Sequence, residues 1–505
     1  HAPDFNVVGA SFAGVPGVII GHNDRIAWGV TNVGPDVQDL YIERVNPANP
    51  HQVEFQGRWE DVEVVREEIR VKGREAPEVL EVRITRHGPI INDVVEGLEQ
   101  PLAFRWTATA EPSRLFRSVL ALNRARNWEE FRDALRDWAV PSQNFVYADV
   151  EGNIGYQMPG LIPIRAKGQG LVPVPGWTGE YEWTGYIPFE ELPSVYNPPT
   201  HFIVTANNKV VPDDYPYFIS YEWAAPYRAQ RIVDLLTAKE RLSVEDFEAI
   251  QADVYDIPSE LLSRYLQQLE PQGWLQERAM EPLWAWDFRT TADSPAAAIY
   301  QVTYLKLVEN TFQDELGAEL FEEYLGAATF HHMALARIIE EADNPWFDDV
   351  TTPERETRDD ILQRSFAQAL DVLGNQFGDE PPKWVWGRLH TATFDHPLGS
   401  VKPLDRIFNR GPIPVNGYGF TVNNTGFDYK EPFAVETVVS YRQIVDLGDL
   451  ANSVSMHTTG QSGQPFHRHY GDMIPRWQAV EYHPMLWDRG AVAASKEGLL
   501  VLTPG

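Results

Sequence analysis

Alternation of apolar and polar residues dominates the first hundred positions. Val18, Ile19 and Ile20, and then Ile26 to Val30, flank the polar His22-Asn23-Asp24, which predicts a hairpin. Val53, Phe55, Gly57 and Trp59 fall on alternate positions, and Val62 to Val64, Ile69 to Val71 and Val79 to Ile84 extend the strand pattern. The period changes at 127–138. Asn127 can cap a helix there with Glu130 as its reciprocal partner, and Trp128, Phe131, Leu135 and Trp138 then share one face. Strand and turn signals return from Asn144 to Thr205. From 228 to 380 the pattern is helical, with Ser243 and Asp246 as a capping pair and an amphipathic run from Ile361 to Leu373. Short strands and Pro/Gly loops follow from Trp384 to the end.

This order predicts one body without a clear linker. Residues 1–227 form a first α+β part, 228–383 a helix-rich excursion, and 384–505 a strand-rich part that completes the sheets. There is no internal repeat.

Composition narrows the function classes. The 505 residues include 43% hydrophobic side chains, enough for a large core. Asp and Glu number 73 against 42 Lys and Arg, a net charge of −31. That argues against nucleic acid or an anionic membrane surface as partner, and leaves carboxylates for a hard cation such as calcium. The chain has no cysteine, which excludes disulfides, thiolate metal sites and a Cys nucleophile. No run of eighteen apolar residues is present to span a membrane.

The common nucleophile signatures are missing. Gly460-Gln461-Ser462-Gly463 lacks the spacing of a nucleophile elbow, and there is no Ser-x-x-Lys or His-Glu-x-x-His. A lone His467-Arg468-His469 without a third ligand reads as a surface pair, as does His331-His332. Asp36 and Asp39 alone read as solvated loop acids. The turn at His22-Asn23 and the segment Thr205-Ala206-Asn207-Asn208 are each compatible with ordinary turn chemistry.

Order and spacing carry more than any single motif. Gly21-His22-Asn23 with Trp28-Gly29, Asp36 through Glu43-Arg44, Arg86-His87-Gly88, Tyr147-Ala148-Asp149 and Gly152-Asn153-Ile154-Gly155-Tyr156 follow one another. Pro173-Val174-Pro175-Gly176, Tyr196-Asn197-Pro198, Asn207-Asn208, Tyr227-Arg228 and Gly460-Gln461-Ser462-Gly463 continue the series. In this collinear set the chain resembles the β chain of the penicillin acylase group of N-terminal-nucleophile hydrolases. That group includes penicillin, cephalosporin, aculeacin and acyl-homoserine-lactone acylases.

The resemblance implies an αββα fold, two stacked mainly antiparallel sheets between helical layers, and hydrolysis of a linear N-acyl amide. The nucleophile would be an N-terminal Ser whose own α-amine serves as base, because a free α-amine with a pKa of about 7.7–8.0 is partly neutral near pH 7. The backbone N–H of Asn32 and the side chain of Asn207 would bind the oxyanion, with Asn208 as the alternative in a shifted register. Arg228 would orient them. Ile20, Val30, Val119 and Gln143 would line the acyl pocket; three are aliphatic, which departs from the phenylacetyl-specific pattern and leaves aliphatic acyl chains open.

The resemblance also implies one calcium ion, held by Asp36, Asp39 and the backbone carbonyls of Gln38 and Gly170. The further aspartate ligand has no counterpart, Ile219 being nearest and Asp213 and Asp214 falling earlier. Family β chains carry several dozen residues, including the Ser, ahead of the position of His1. His1 has no hydroxyl, and Ser11 is a poor substitute. The expectation is therefore that the nucleophile lies outside these 505 residues, that an α chain from the same precursor is the partner, and that the protein is periplasmic or secreted. Two rivals remain: an acidic secreted carbohydrate-binding protein, for which Asn32 and Asn207 should lie far apart, and an inactive scaffold with the same fold.

Overall fold

The computed structural model describes residues 5–109 and 113–501. His1 lies outside the described residues. The chain divides into two compact units, residues 1–223 and 224–505.

In the first unit the hairpin forms as the alternation predicts. Strand β1 (Val7–Ala10) pairs with β2 (Ile20–Asn23), and β2 pairs with β3 (Ile26–Asn32), with Gly21 opposite Trp28. The turn is fixed by Asn23. Its Oδ1 accepts from the N–H of Arg25 (2.8 Å) and of Ile26 (2.9 Å), and its Nδ2 donates to the carbonyls of Asn123 (3.3 Å) and Ala125 (2.7 Å). Close approach of β1 requires glycine here: a Cβ on Gly21 would lie 2.1 Å from the Val8 carbonyl oxygen.

Strands Gln143–Asp149, Ile154–Gln157 and Ser194–Tyr196 continue the sheet beyond β3, giving six antiparallel strands. Because side chains alternate along a strand, Trp28 and Phe145 face one side with helices α1 (Leu115–Leu122) and α2 (Trp128–Leu135). Val146 and Tyr156 face the other side, where Met158, Ile162, Ile187 and Ile219 pack. Helix α2 starts at the expected cap, the Asn127 side chain accepting from the Glu130 N–H at 2.9 Å. The reciprocal bond differs, since Glu130 accepts from the N–H of Arg126 rather than that of Asn127. The helix ends at Leu135, yet Trp138 is still buried, its indole N–H donating to the Pro141 carbonyl at 2.6 Å. Strand β4 (Gln38–Ile42) lies outside this sheet and pairs with Leu102–Trp106 and Val174–Pro175.

Among the described residues the second unit opens with seven α-helices between Tyr227 and Phe377. Ser243 and Asp246 form the expected capping box. In helix Arg358–Phe377, Ile361, Leu362, Phe366, Ala369, Leu370 and Leu373 are buried, which confirms the amphipathic pattern. They join the core around helix Pro295–Leu325, where Ala296 to Tyr300 are all buried. Short strands from Thr391 onward complete the unit. His331 and His332 depart from the surface reading. Both are buried, His331 bonded to the Tyr304 hydroxyl (2.7 Å) and His332 to those of Tyr418 (2.7 Å) and Tyr429 (3.0 Å). Burial holds both pKa values well down, so they are neutral core residues. Among the described residues no helix is long and apolar enough to cross a membrane.

Candidate active site

Asn32 ends β3 and sits opposite Gln143 on the neighbouring strand. Its carbonyl oxygen receives two side-chain donors. One is the Asn207 Nδ2, at 2.7 Å across 175 positions of sequence; the other is the Asn144 Nδ2, at 3.1 Å. Asn207 holds a left-handed backbone, φ 64°, a conformation that asparagine tolerates better than most residues. Asn208 does not reach this point. Its Oδ1 accepts from the Ala206 N–H and its Nδ2 donates to the Lys209 carbonyl, both at 3.1 Å, so it braces the turn that presents Asn207.

Behind these two residues stands a polar network. Asn144 is fully buried and lies opposite Thr31. Its Nδ2 donates to the Thr31 hydroxyl at 3.1 Å, and its Oδ1 accepts from the Tyr156 hydroxyl at 2.6 Å. Thr31 in turn donates to the hydroxyl of Thr205 at 2.9 Å, two residues before Asn207. The strand end and the 205–208 turn are thus tied at two points. Chemically, this can hold a backbone N–H and a carboxamide at the end of an interior strand, the donor types that stabilise a developing oxyanion.

The expected acyl-pocket residues fall on the same face. Ile20, Val30 and Val119 belong to one apolar cluster between the sheet and α1. Val30 is two residues before Asn32, so both side chains project the same way. Gln143 is at the edge of that face, paired with Asn32. Arg228 lies in the second unit, in the first turn of helix α3 (Tyr227–Thr237), and burial lowers the pKa of its guanidinium.

The calcium positions tell a different story. Asp36, Asp39 and Gly170 do converge, but on the guanidinium of Arg165. The Ile219 carbonyl accepts from the Asp36 N–H at 2.7 Å. Asp213 pairs with Lys209 at the surface and does not join. With Arg165 in place, the donor set does not fit calcium.

A second polar cluster centres on His87. Its Nδ1 is 2.8 Å from Glu43 Oε1 and its Nε2 is 2.7 Å from Glu182 Oε1. Tyr41 stacks on the ring at 4.0 Å, and the Thr85 hydroxyl donates to Glu43 at 2.7 Å. Burial alone lowers the imidazole pKa, but hydrogen bonds to the two carboxylates, and their charge, outweigh it and raise the pKa overall.

Sequence reading gave no role to Asn144, Thr31, Thr205 or Arg165, although Thr205 stands in the segment singled out with Asn207. The first three could have been flagged as polar residues inside strand-like or turn segments next to an expected site residue. Arg165 carried no signal, because nothing local shows that it lies against residues more than 120 positions earlier.

The penicillin amidase family model matches residues 1–494. Acyl-homoserine lactone acylase QuiP of Pseudomonas aeruginosa is 31% identical over 527 residues, covering 95% of this chain and 62% of the relative. Penicillin acylase 2 proenzyme of Pseudomonas sp. (strain SE83) is 32% identical, covering 97% of this chain and 63% of the relative. The chain therefore spans somewhat under two thirds of the length of these relatives. A solved structure of thermostable penicillin G acylase from Alcaligenes faecalis superposes with a TM-score of 0.75 at 22% identity, covering 100% of this chain and 93% of that one. That likeness shows the fold: α+β, shared with penicillin G acylase.

Proposed function

Because the chain belongs to the penicillin amidase family, we propose that the protein it comes from is an amide hydrolase acting on a linear N-acyl amide. The observation that carries this is the 2.7 Å bond from the Asn207 side chain to the Asn32 carbonyl. It sets the Asn207 carboxamide against the residue whose backbone N–H is the other proposed oxyanion donor. The carbohydrate-binding rival requires them to lie far apart, and nothing observed favours it.

In this reading the nucleophile is an N-terminal Ser from outside the segment. Its hydroxyl attacks the substrate carbonyl and its proton passes to its own α-amine. The amide C–N bond breaks as the amine leaves with that proton, and water then hydrolyses the acyl-enzyme. The backbone N–H of Asn32 and one N–H of the Asn207 amide stabilise the oxyanion in both steps. The other hydrogen of the amide keeps the grip on Asn32.

Ile20, Val30 and Val119 offer an aliphatic wall, which supports an alkyl acyl group over a phenylacetyl one. Relatives named as acyl-homoserine lactone acylases fit that preference. An α chain released from the same precursor is the proposed partner, and the periplasm or the exterior the proposed location.

The test is Asn207→Ala in the enzyme made from the complete gene product, assayed with a chromogenic N-acyl amide. Loss of one oxyanion donor costs about 2.7–4 kcal/mol, or roughly 10²–10³ in kcat. Turnover within a few-fold of the parent, with the fold intact, would remove Asn207 from the chemistry.

A further inference from the structure

The cluster of Asp36, Asp39 and Gly170 holds a cation that the chain itself supplies. Arg165 is only 3% exposed at its side chain and Asp39 only 4%. Arg165 Nε donates to both Asp39 oxygens, at 3.1 Å to Oδ1 and 2.9 Å to Oδ2, and Nη2 donates to Oδ1 at 2.8 Å. Nη2 also lies 3.0 Å from Asp36 Oδ1 and 3.3 Å from the Asp36 carbonyl. The indole N–H of Trp183 donates to Asp39 Oδ2 at 2.5 Å. A carboxylate offers about four acceptor sites, and N–H donors make four contacts on Asp39.

Calcium needs six to eight oxygen ligands at about 2.3–2.6 Å. A carboxylate already ringed by N–H groups cannot supply them while those groups stay. The packing leaves little room for change. A Cβ on Gly170 would lie 2.3 Å from Asp39 Oδ1 and 2.8 Å from Arg165 Nη2, and Gly170 has φ +80°. Only glycine lets the backbone approach the ion pair so closely.

We infer that Arg165 stands in for a divalent metal at this site, a built-in guanidinium clamp, and that the native protein takes no calcium here. The clamp joins the start of β4 to the strand Pro163–Arg165 and the 165–170 loop, which a shared metal would otherwise bridge. Planar guanidinium suits this work because it binds a carboxylate at two points and stays charged at any working pH. The inference does not depend on the proposed reaction.

The experiment uses the complete purified protein. Metal content is measured after exhaustive dialysis against micromolar calcium, and thermal midpoints are recorded with EDTA and with ~10 mM calcium. The parent should carry no stoichiometric calcium, and its midpoint should move by less than about 1 °C between the two conditions. Arg165→Ala should melt lower in EDTA and recover by about 3–10 °C in calcium, since removing the guanidinium leaves two carboxylates facing each other. Stoichiometric calcium in the parent at this site, with a midpoint that falls on chelation, overturns the inference. So does an Arg165→Ala protein that folds and shows no calcium response. If Arg165→Ala does not fold, metal content and the chelator scan of the parent decide the matter.

Discussion

Replacing Asn144 by Ala should loosen the strand end that carries Asn32. The side chain is fully buried and makes three bonds, to the Asn32 carbonyl, the Thr31 hydroxyl and the Tyr156 hydroxyl. Each is worth about 0.5–1.5 kcal/mol net, and a buried hydroxyl left without its acceptor adds about 1–3 kcal/mol. Partial relaxation brings the expected total to about 2–4 kcal/mol. For a unit of roughly two hundred residues, 1 kcal/mol moves the melting temperature by about 2–4 °C. Asn144→Ala should therefore lower the melting transition of the first unit by roughly 4–16 °C in a calorimetric scan. Part of that loss is the stranded Tyr156 hydroxyl, and a double-mutant cycle isolates it. Adding Tyr156→Phe to Asn144→Ala should cost less than the two single changes summed, by about 1 kcal/mol or more. Strict additivity would show that the Tyr156–Asn144 bond is not formed in solution, and the network described here would be wrong.

Two further outcomes follow. His87 between Glu43 and Glu182 has a raised pKa, so its stabilisation is fully present below about pH 6.5 and is lost as pH rises through the higher folded value. Glu182 has a lowered pKa overall, burial opposing but His87 and nearby arginines prevailing, and its contribution is lost as pH falls through that value. Melting temperature against pH should peak in the mildly acidic range and decline on the alkaline side, and His87→Gln should remove that alkaline decline; an unchanged profile would mean that the imidazole is neutral throughout. Asn208→Ala should lower kcat by less than about tenfold, because Asn208 braces Ala206 and Lys209 rather than Asn32; a loss as large as that of Asn207→Ala would exchange their roles.

Local signals placed the hairpin around His22-Asn23-Asp24, the caps at Asn127 and Ser243 and the buried stripe of 361–373, because each depends on residues within a turn or two. The family was legible in the collinear motifs, and the match over residues 1–494 bears it out. The His22-Asn23 turn reads as ordinary turn chemistry, and Asn23 indeed holds the hairpin to the Asn123–Ala125 segment. What escaped sequence reading is what long-range packing decides. His331 and His332 are core residues because tyrosines from distant segments reach them. Arg165 meets Asp36 and Asp39 only after β4 and the 163–165 strand come together, so the two acids could not be told from metal ligands in advance. Asn144 was hidden in plain alternation, since a polar residue on a strand looks solvated until the second face of the sheet is known to be covered.

The most direct measurement is a crystal structure of the complete enzyme with a tetrahedral transition-state analogue, a phosphonate or boronate of an alkyl acyl group, bound at the nucleophile. The account expects the analogue's oxyanion about 2.7–3.1 Å from both the Asn32 backbone nitrogen and the Asn207 Nδ2, with the Asn207–Asn32 bond retained and the alkyl chain against Val30 and Val119. An oxyanion held by other donors, with Asn32 and Asn207 out of its reach, would contradict it.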